Sequence, residues 1–145
     1  MTTLYLAAPW VCRDEARQVR RVLQDAGFEV NARWLDFLSD DPDATHSIAV
    51  LQQEAKHDVE DIQRADIFVV LNLAKSEGKA TEQGMAYMLG TPIVVVGPHA
   101  PCNNIFQYLP GFVCVPNLYE AIPVIRRLAR TLHGAPYPDD TDPEC

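Results

Sequence analysis

The sequence predicts an α/β fold, a single domain on a doubly wound parallel sheet of about five strands, and three observations carry that expectation. Short β-prone apolar runs alternate with longer stretches of helical periodicity. Two of the runs, "ADIFVVLNL" (65–73) and "TPIVVVG" (91–97), are nearly continuous apolar, as in central parallel strands covered on both faces. At 145 residues the chain is long enough for one core and too short for two. Strands alternating with helices imply right-handed crossovers, with helices on both faces of one sheet.

Taken in order, "TLYLAA" (3–8) reads as a buried first strand that stops at Pro9. Residues 13–26 place Ala16, Val19, Val22, Leu23 and Ala26 at helical spacing, and Gly27 ends the run. "FEVNARWL" (28–35) gives a second strand, and the polar "SDDPDATHS" (39–47) a loop. From Ile48 to Arg64, Leu51, Ala55, Val59 and Ile62 fall three or four apart and form the apolar stripe of a long amphipathic helix. The strand at 65–73 comes next, then a helix over "TEQGMAYMLG" (81–90) ended by Gly90, and the strand at 91–97 with Pro92 at its start. "GFVCV" (111–115) is a short fifth strand. "NLYEAIPVIRRLARTLHG" (117–134) is the last helix, with Asn117 as N-cap and Pro123 in its first turns. Residues 1–134 are thus expected to form the domain, and the Pro- and Asp-rich 135–145 a disordered tail.

Hydrophobic residues make up 48% and charged residues 22%, the balance of a globular protein. A net charge of −8 argues against a nucleic-acid partner, because phosphate backbones are held by clustered Lys and Arg. Arg126, Arg127 and Arg130 cluster late in the chain at a spacing that suits a solvated helix face. A small anionic ligand stays open, since a few backbone N–H groups or one Arg hold a single phosphate whatever the net charge. Cys12, Cys102, Cys114 and Cys145 form no C-x-x-C pair and read as reduced thiols. "MTTLYLAAPW" has no positive charge ahead of its apolar run, and no apolar stretch approaches the length of a membrane span. A cytoplasmic location with no membrane partner is the expectation.

Parallel sheets of this kind bind ligands outside the C-terminal strand ends, where strand order switches, which points to the segments after Ala8, Leu73 and Gly97. The loop "AKSEGKATE" (74–82) has neither G-x-G-x-x-G nor a P-loop, but its Gly78, with Ser76 and Lys79, can aim backbone N–H groups at an anion. Glu82 would lie in the first turn of the following helix. A carboxylate there ordinarily complements the helix dipole, worth about 0.3–1 kcal/mol. Its neighbours Ala80, Gly84, Met85 and Ala86 leave little polar bulk around it. A second acidic group, "HDVEDIQRAD" (57–66), places Asp58 near Asp61 and Ile62 on adjacent turns, Glu60 toward solvent, and Asp66 at a helix-to-strand junction. Asp58 meets Glu82 only if its helix delivers it to the C-terminal edge of the sheet. His46, His57, His99 and His133 lack paired ligand spacing, and no G-x-S-x-G is present, so neither a metal nor a cofactor is expected and carboxylate chemistry is the better candidate.

"YLAAPW" (5–10), "DVEDIQRADIFVV" (58–70), "SEGKATEQGMAYMLGTPIVVVGP" (76–98) and "NNIFQYLPGF" (103–112) together resemble the nucleoside 2-deoxyribosyltransferase family, and within it the 2'-deoxynucleoside 5'-phosphate N-hydrolases. The resemblance implies a Rossmann/flavodoxin-like sheet and cleavage of the N-glycosidic bond of (deoxy)nucleoside 5'-monophosphates. It makes Glu82 the nucleophile on the anomeric carbon, Asp58 the acid or orienting group for the departing base, and Tyr5 the hydroxyl that bonds the nucleophile. A core tyrosine is the alternative for Tyr5.

The hydrolases tend to carry Ser six positions before the nucleophile and Gly two residues later, where transferases carry an acidic residue; this chain has Ser76 and Gly78. A hydroxyl and a backbone N–H donate to a 5'-phosphate that a carboxylate would repel. Lys79 and Arg13 would add positive charge there or lie solvated, and Glu77 departs from the pattern. "PWVCRDEA" (9–16) also lacks the glycines often found after the first strand. Trp10 and Trp34 are candidates to wall the base, or else core. Asn104 joins the substrate-binding candidates. The resemblance further implies a homodimer or higher homo-oligomer, with "NNIFQYLPGF" at the subunit contact. A base-exchanging deoxyribosyltransferase and a non-catalytic nucleotide-binding module are the alternatives.

Overall fold

The computed structural model describes residues 1–37, 46–97 and 104–134; the tail expected at 135–145 and most of the loop expected at 39–47 lie outside them. Five strands, β1 (Thr3–Ala7), β2 (Glu29–Val30), β3 (Ile67–Leu71), β4 (Ile93–Val96) and β5 (Phe112–Val115), pair in parallel in the order β2-β1-β3-β4-β5. Between and after them run α1 (Arg13–Asp25), α2 (Ile48–Arg64), α3 (Glu77–Met88) and α4 (Leu118–Leu132). The order reverses between β1 and β3, where a doubly wound sheet opens its crevice. β3 and β4 are buried along their whole length, as their unbroken apolar runs require.

Arg126 of α4 donates to the Ala26 carbonyl at the end of α1 (3.2 Å), which joins these two helices on one face of the sheet. On the other face α2 packs against α3, and both rest on β1. Tyr5 and Phe68 are register partners on β1 and β3, and their rings stack at 5.2 Å. Asp66 serves the junction expected of it: its Oδ2 accepts the Thr3 N–H (2.8 Å) and pins the start of β1 to β3. Asn117 caps α4 through Oδ1, which accepts the Glu120 N–H (2.9 Å).

Three elements differ from the sequence expectation. The second strand is not 28–35 but the two residues of β2, followed by a 3-10 turn over Arg33–Asp36. Buried Asp61 on α2 draws the chain out of the sheet by accepting both the Arg33 N–H and its guanidinium, and the Trp34 indole donates to the Leu6 carbonyl (2.9 Å). α3 begins at Glu77 rather than Thr81, because the Ser76 hydroxyl caps it by accepting the Lys79 N–H (3.3 Å). The apolar stripe of α2 is covered only at its end: Ile62 is buried, whereas Leu51 is 52% exposed and Val59 also stands in solvent. Seventeen helical residues span about 25 Å against about 17 Å for a five-residue strand, so α2 overreaches the sheet it packs on.

Candidate active site

Packing α2 and α3 side by side over β1 brings Asp58, Glu82 and Tyr5 into one another's electrostatic range. They meet over the middle of β1, where Tyr5 is the third of five residues, rather than at the C-terminal edge of the sheet. Glu82 is the sixth residue of α3, in its second turn and not its first, because the helix starts at Glu77. The dipole that would explain a first-turn carboxylate has faded there. What holds Glu82 is its seating between helix and sheet.

That seating makes charge more costly on each acid. Burial pushes the Glu82 carboxyl up to about 8; the Tyr5 hydroxyl works in the opposite direction, and the Asp58 charge adds to the rise. Burial also raises Asp58, to about 6, with Asp61 and Glu54 contributing. Tyr5 is wholly buried and raised far above an ordinary phenol by burial, then by Glu82 and Asp58. Its hydroxyl lies within reach of the Glu82 carboxylate but off good hydrogen-bonding geometry, so their contact favours the ionised acid without satisfying the hydroxyl. One oxygen of Asp58 is likewise buried without a hydrogen-bond partner. Buried polar atoms left unsatisfied within electrostatic range of one another make this the candidate site.

The other acidic residues have structural work. Asp61, one turn from Asp58, pairs with Arg33 at 2.8 Å, and Arg33 also reaches Glu60 (3.0 Å) and the His57 carbonyl (3.2 Å). These bonds anchor α2 to the 3-10 turn and fix the turn of helix that carries Asp58.

Ser76 and Asn104 share a cleft of about 360 Å³ with Lys75, Glu77, Lys79 and Phe106; Glu82, Asp58 and Tyr5 do not line it. Asn104 caps the 3-10 turn Ile105–Tyr108, its Oδ1 accepting the Phe106 N–H (3.1 Å). Gly78, expected in a loop, lies in the first turn of α3, where helical N–H groups have no partner within the helix. Lys79 is not a surface cation: it is buried, its Nζ donating to Asn72 Oδ1 (3.1 Å) and the Ala74 carbonyl (2.8 Å). Arg13 is also buried; it donates to the Phe37 carbonyl (2.8 Å) and lays its guanidinium 4.4 Å over the Trp10 ring. Trp34 is core, whereas Trp10, at the end of β1, is 43% exposed and 6.1 Å from it.

A model of the nucleoside 2-deoxyribosyltransferase family matches residues 4–106, more than half of the chain. The chain belongs to that family. Among solved structures it is similar to a 2-deoxyribosyltransferase from Bacillus psychrosaccharolyticus (22% identity, TM-score 0.60, covering 83% of this chain and 90% of that one). It is also similar to a conserved protein from Enterococcus faecalis (18% identity, TM-score 0.60, 88% and 98%) and to a CMP N-glycosidase from Clostridium botulinum (18% identity, TM-score 0.55, 86% and 99%). These likenesses show a common fold. No curated protein matches the chain.

As a member of the nucleoside 2-deoxyribosyltransferase family the protein is an enzyme, and its substrates are small molecules. Among the described residues no helix is long and apolar enough to cross a membrane, and no three His, Cys, Asp or Glu side chains gather as a metal site. Sequence reading missed the buried polar cluster beside Glu82, formed by Asn72, Lys79, Gln83 and Gln107. One signal pointed to it: Gln83 sits between Lys79 and Ala86 on the face that α3 turns inward.

Proposed function

We propose that this enzyme is an N-glycosidase of (deoxy)nucleoside 5'-monophosphates, in the 2'-deoxynucleoside 5'-phosphate N-hydrolase branch of the family, with Glu82 as nucleophile. The observation that carries the reading is the joint burial of Glu82 and Asp58 against Tyr5, with both carboxyls raised. Two acids that interact and titrate near 6 and 8 hold one proton between them around neutrality. The higher value is that of Glu82, so the resting pair holds the proton mainly there, and attack proceeds from the tautomer with the proton on Asp58. Glu82, ionised and facing Tyr5, then forms an ester bond to C1' as the C1'–N bond breaks, and Asp58 gives its proton to the departing base. Water next cleaves the ester, returning Glu82 and releasing the sugar 5-phosphate.

The phosphate reading rests on Ser76 and Gly78 at the start of α3. Ser76 accepts the Lys79 N–H and still has its own hydroxyl proton to donate. Glu82 lies six positions after Ser76, about 9 Å along the helix, which leaves room for a sugar between the phosphate and the nucleophile. Asn104 and Lys75 border the same end. Trp10 offers exposed indole near the end of β1 to stack on the base, with Arg13 and Trp34 holding it in place. The exposed apolar residues Leu51 and Val59 on α2, and Met85 and Met88 on α3, form a face suited to a second copy of the chain. Free thiols at Cys12 and Cys114 suit a cytoplasmic setting.

The test is incubation of the protein with deoxynucleoside 5'-monophosphates and with deoxynucleosides, each with and without an acceptor base. Release of base and sugar phosphate from the monophosphates supports the reading. Base exchange without net hydrolysis would make the enzyme a transferase, and tight binding without turnover would make it a nucleotide-binding module.

A further inference from the structure

The stripe that α3 turns inward consists of Lys79, Gln83 and Ala86. Two polar residues and an alanine give no large apolar side chain to interlock with the sheet, so ridges and grooves do little to fix the roll of this helix about its axis. Hydrogen bonds do so instead. Gln107 Nε2 donates to Gln83 Oε1 (2.9 Å) and to Asn72 Oδ1 (3.3 Å), and Asn72 Nδ2 donates back to Gln107 Oε1 (3.2 Å). Lys79 Nζ completes the cluster on Asn72 Oδ1 and the Ala74 carbonyl. All four side chains are buried, and they join the end of β3, the inner face of α3 and the 3-10 turn Ile105–Tyr108.

Gln83 directly follows Glu82, so the two side chains leave the helix about 100° apart. With Gln83 held against Gln107, Glu82 is turned toward Tyr5 and Asp58. We infer that Gln83 and Gln107 are positioning residues whose hydrogen bond sets the roll of α3 and thereby aims the Glu82 carboxylate at the anomeric carbon. This rests on Glu82 being the nucleophile. A roll of about 20° moves a carboxylate about 6 Å from the helix axis by about 2 Å, and misplacement of even about 1 Å can cost on the order of 10²-fold in rate.

Two variants test it. Gln83→Met keeps length and approximate volume while deleting the acceptor, and Gln107→Leu removes the whole amide link. Each is assayed on deoxynucleoside 5'-monophosphates beside the wild type, and the Glu82 carboxyl is titrated by NMR in protein labelled at glutamate side-chain carbon. Gln83→Met is expected to lower kcat by about 10- to 100-fold with KM within about threefold, and to displace the Glu82 titration. Gln107→Leu should do the same, and the double variant should be little worse than either single change. A variant that melts earlier yet keeps the wild-type kcat and Glu82 titration would overturn the inference, leaving the cluster a structural role only. If Gln107→Leu does not fold, Gln83→Met decides alone, because it leaves the Asn72–Gln107 pair in place. If the wild type cleaves none of these substrates, the proposed function falls. The Glu82 titration in Gln83→Met then still decides the positioning role, displaced if it is right and unmoved if it is wrong.

Discussion

Glu82 on α3 and Tyr5 on β1 face each other across the seam between helix and sheet, and each biases the protonation of the other. The phenol favours the ionised Glu82, and the carboxylate makes the phenol harder to ionise. Tyr5 is held for this by stacking on Phe68, its register partner. An acid that burial drives toward neutrality is thereby kept within reach of its charged form near neutral pH.

Replacing Tyr5 by Phe keeps that stacking and removes only the hydroxyl. Because the hydroxyl lacks a well-aligned partner, stability should change by less than about 1 kcal/mol. Glu82 loses the one contact that lowers its pKa, so the alkaline limb of the pH–rate profile, which falls near 8, should move to higher pH and kcat should fall by about 10- to 100-fold. A profile measured from pH 5 to 9 checks both.

The wild-type profile itself should be bell-shaped. The active pair carries one proton, so kcat/KM rises as the first carboxyl ionises near 6 and falls as the second does so near 8. Asp58→Asn removes the acid and should cost about 10²–10⁴-fold on ordinary nucleotides. It should cost far less on a substrate whose base departs without a proton, such as an N7-methylated purine nucleotide. Equal losses on both substrates would deny Asp58 the acid role.

Thermal stability carries the same signature. Both carboxyls titrate higher in the folded protein than in the unfolded chain, so folding takes up protons between the ordinary carboxylate range and about 8. Their contribution is full below the ordinary carboxylate range and is lost as pH rises from there toward 8. Glu82→Gln cannot ionise and should therefore gain on the wild type with rising pH, by about 2 kcal/mol or roughly 4–8 °C in Tm at pH 9. Melting curves at pH 5, 7 and 9 measure the divergence.

Much of the fold was legible because unbroken apolar runs at 65–73 and 91–97 have few other uses than central parallel strands. Glu82 stood out in the sequence as an acid among small and apolar neighbours, whereas Asp58 was singled out through the family resemblance, and their meeting over mid-β1 depends on how α2 and α3 pack, which local pattern does not encode. The second strand was read too long because β-prone Phe28, Val30 and Trp34 span the run, whereas tertiary bonds to Asp61 and to Leu6 decide the conformation of its second half. The start of α3 was misplaced because Gly78 read as loop and Ser76 as a ligand, when Ser76 is also the helix cap. Lys79 and Arg13 were read as cations beside a phosphate or else solvated, since burial of a long charged side chain rests on carbonyl and ring partners distant in sequence or hidden by the fold.

The exposed stripe on α2 leads to a prediction about assembly. Leu51 and Val59 lie two turns apart on one face, beside α3, whose Met88 is 82% exposed. Sedimentation should give a dimer or larger species for the wild type. Leu51→Asp with Met88→Asp should shift it toward monomer without loss of helical circular dichroism.

The nucleophile assignment to Glu82 is tested most directly by quenching the enzyme in acid during turnover of a deoxynucleoside 5'-monophosphate and mapping its peptides by mass spectrometry. A deoxyribosyl 5-phosphate adduct on the peptide spanning Glu82, absent from Glu82→Ala, is the expected result. Wild-type turnover by a folded Glu82→Ala protein, or an adduct mapped to a different residue, would contradict it.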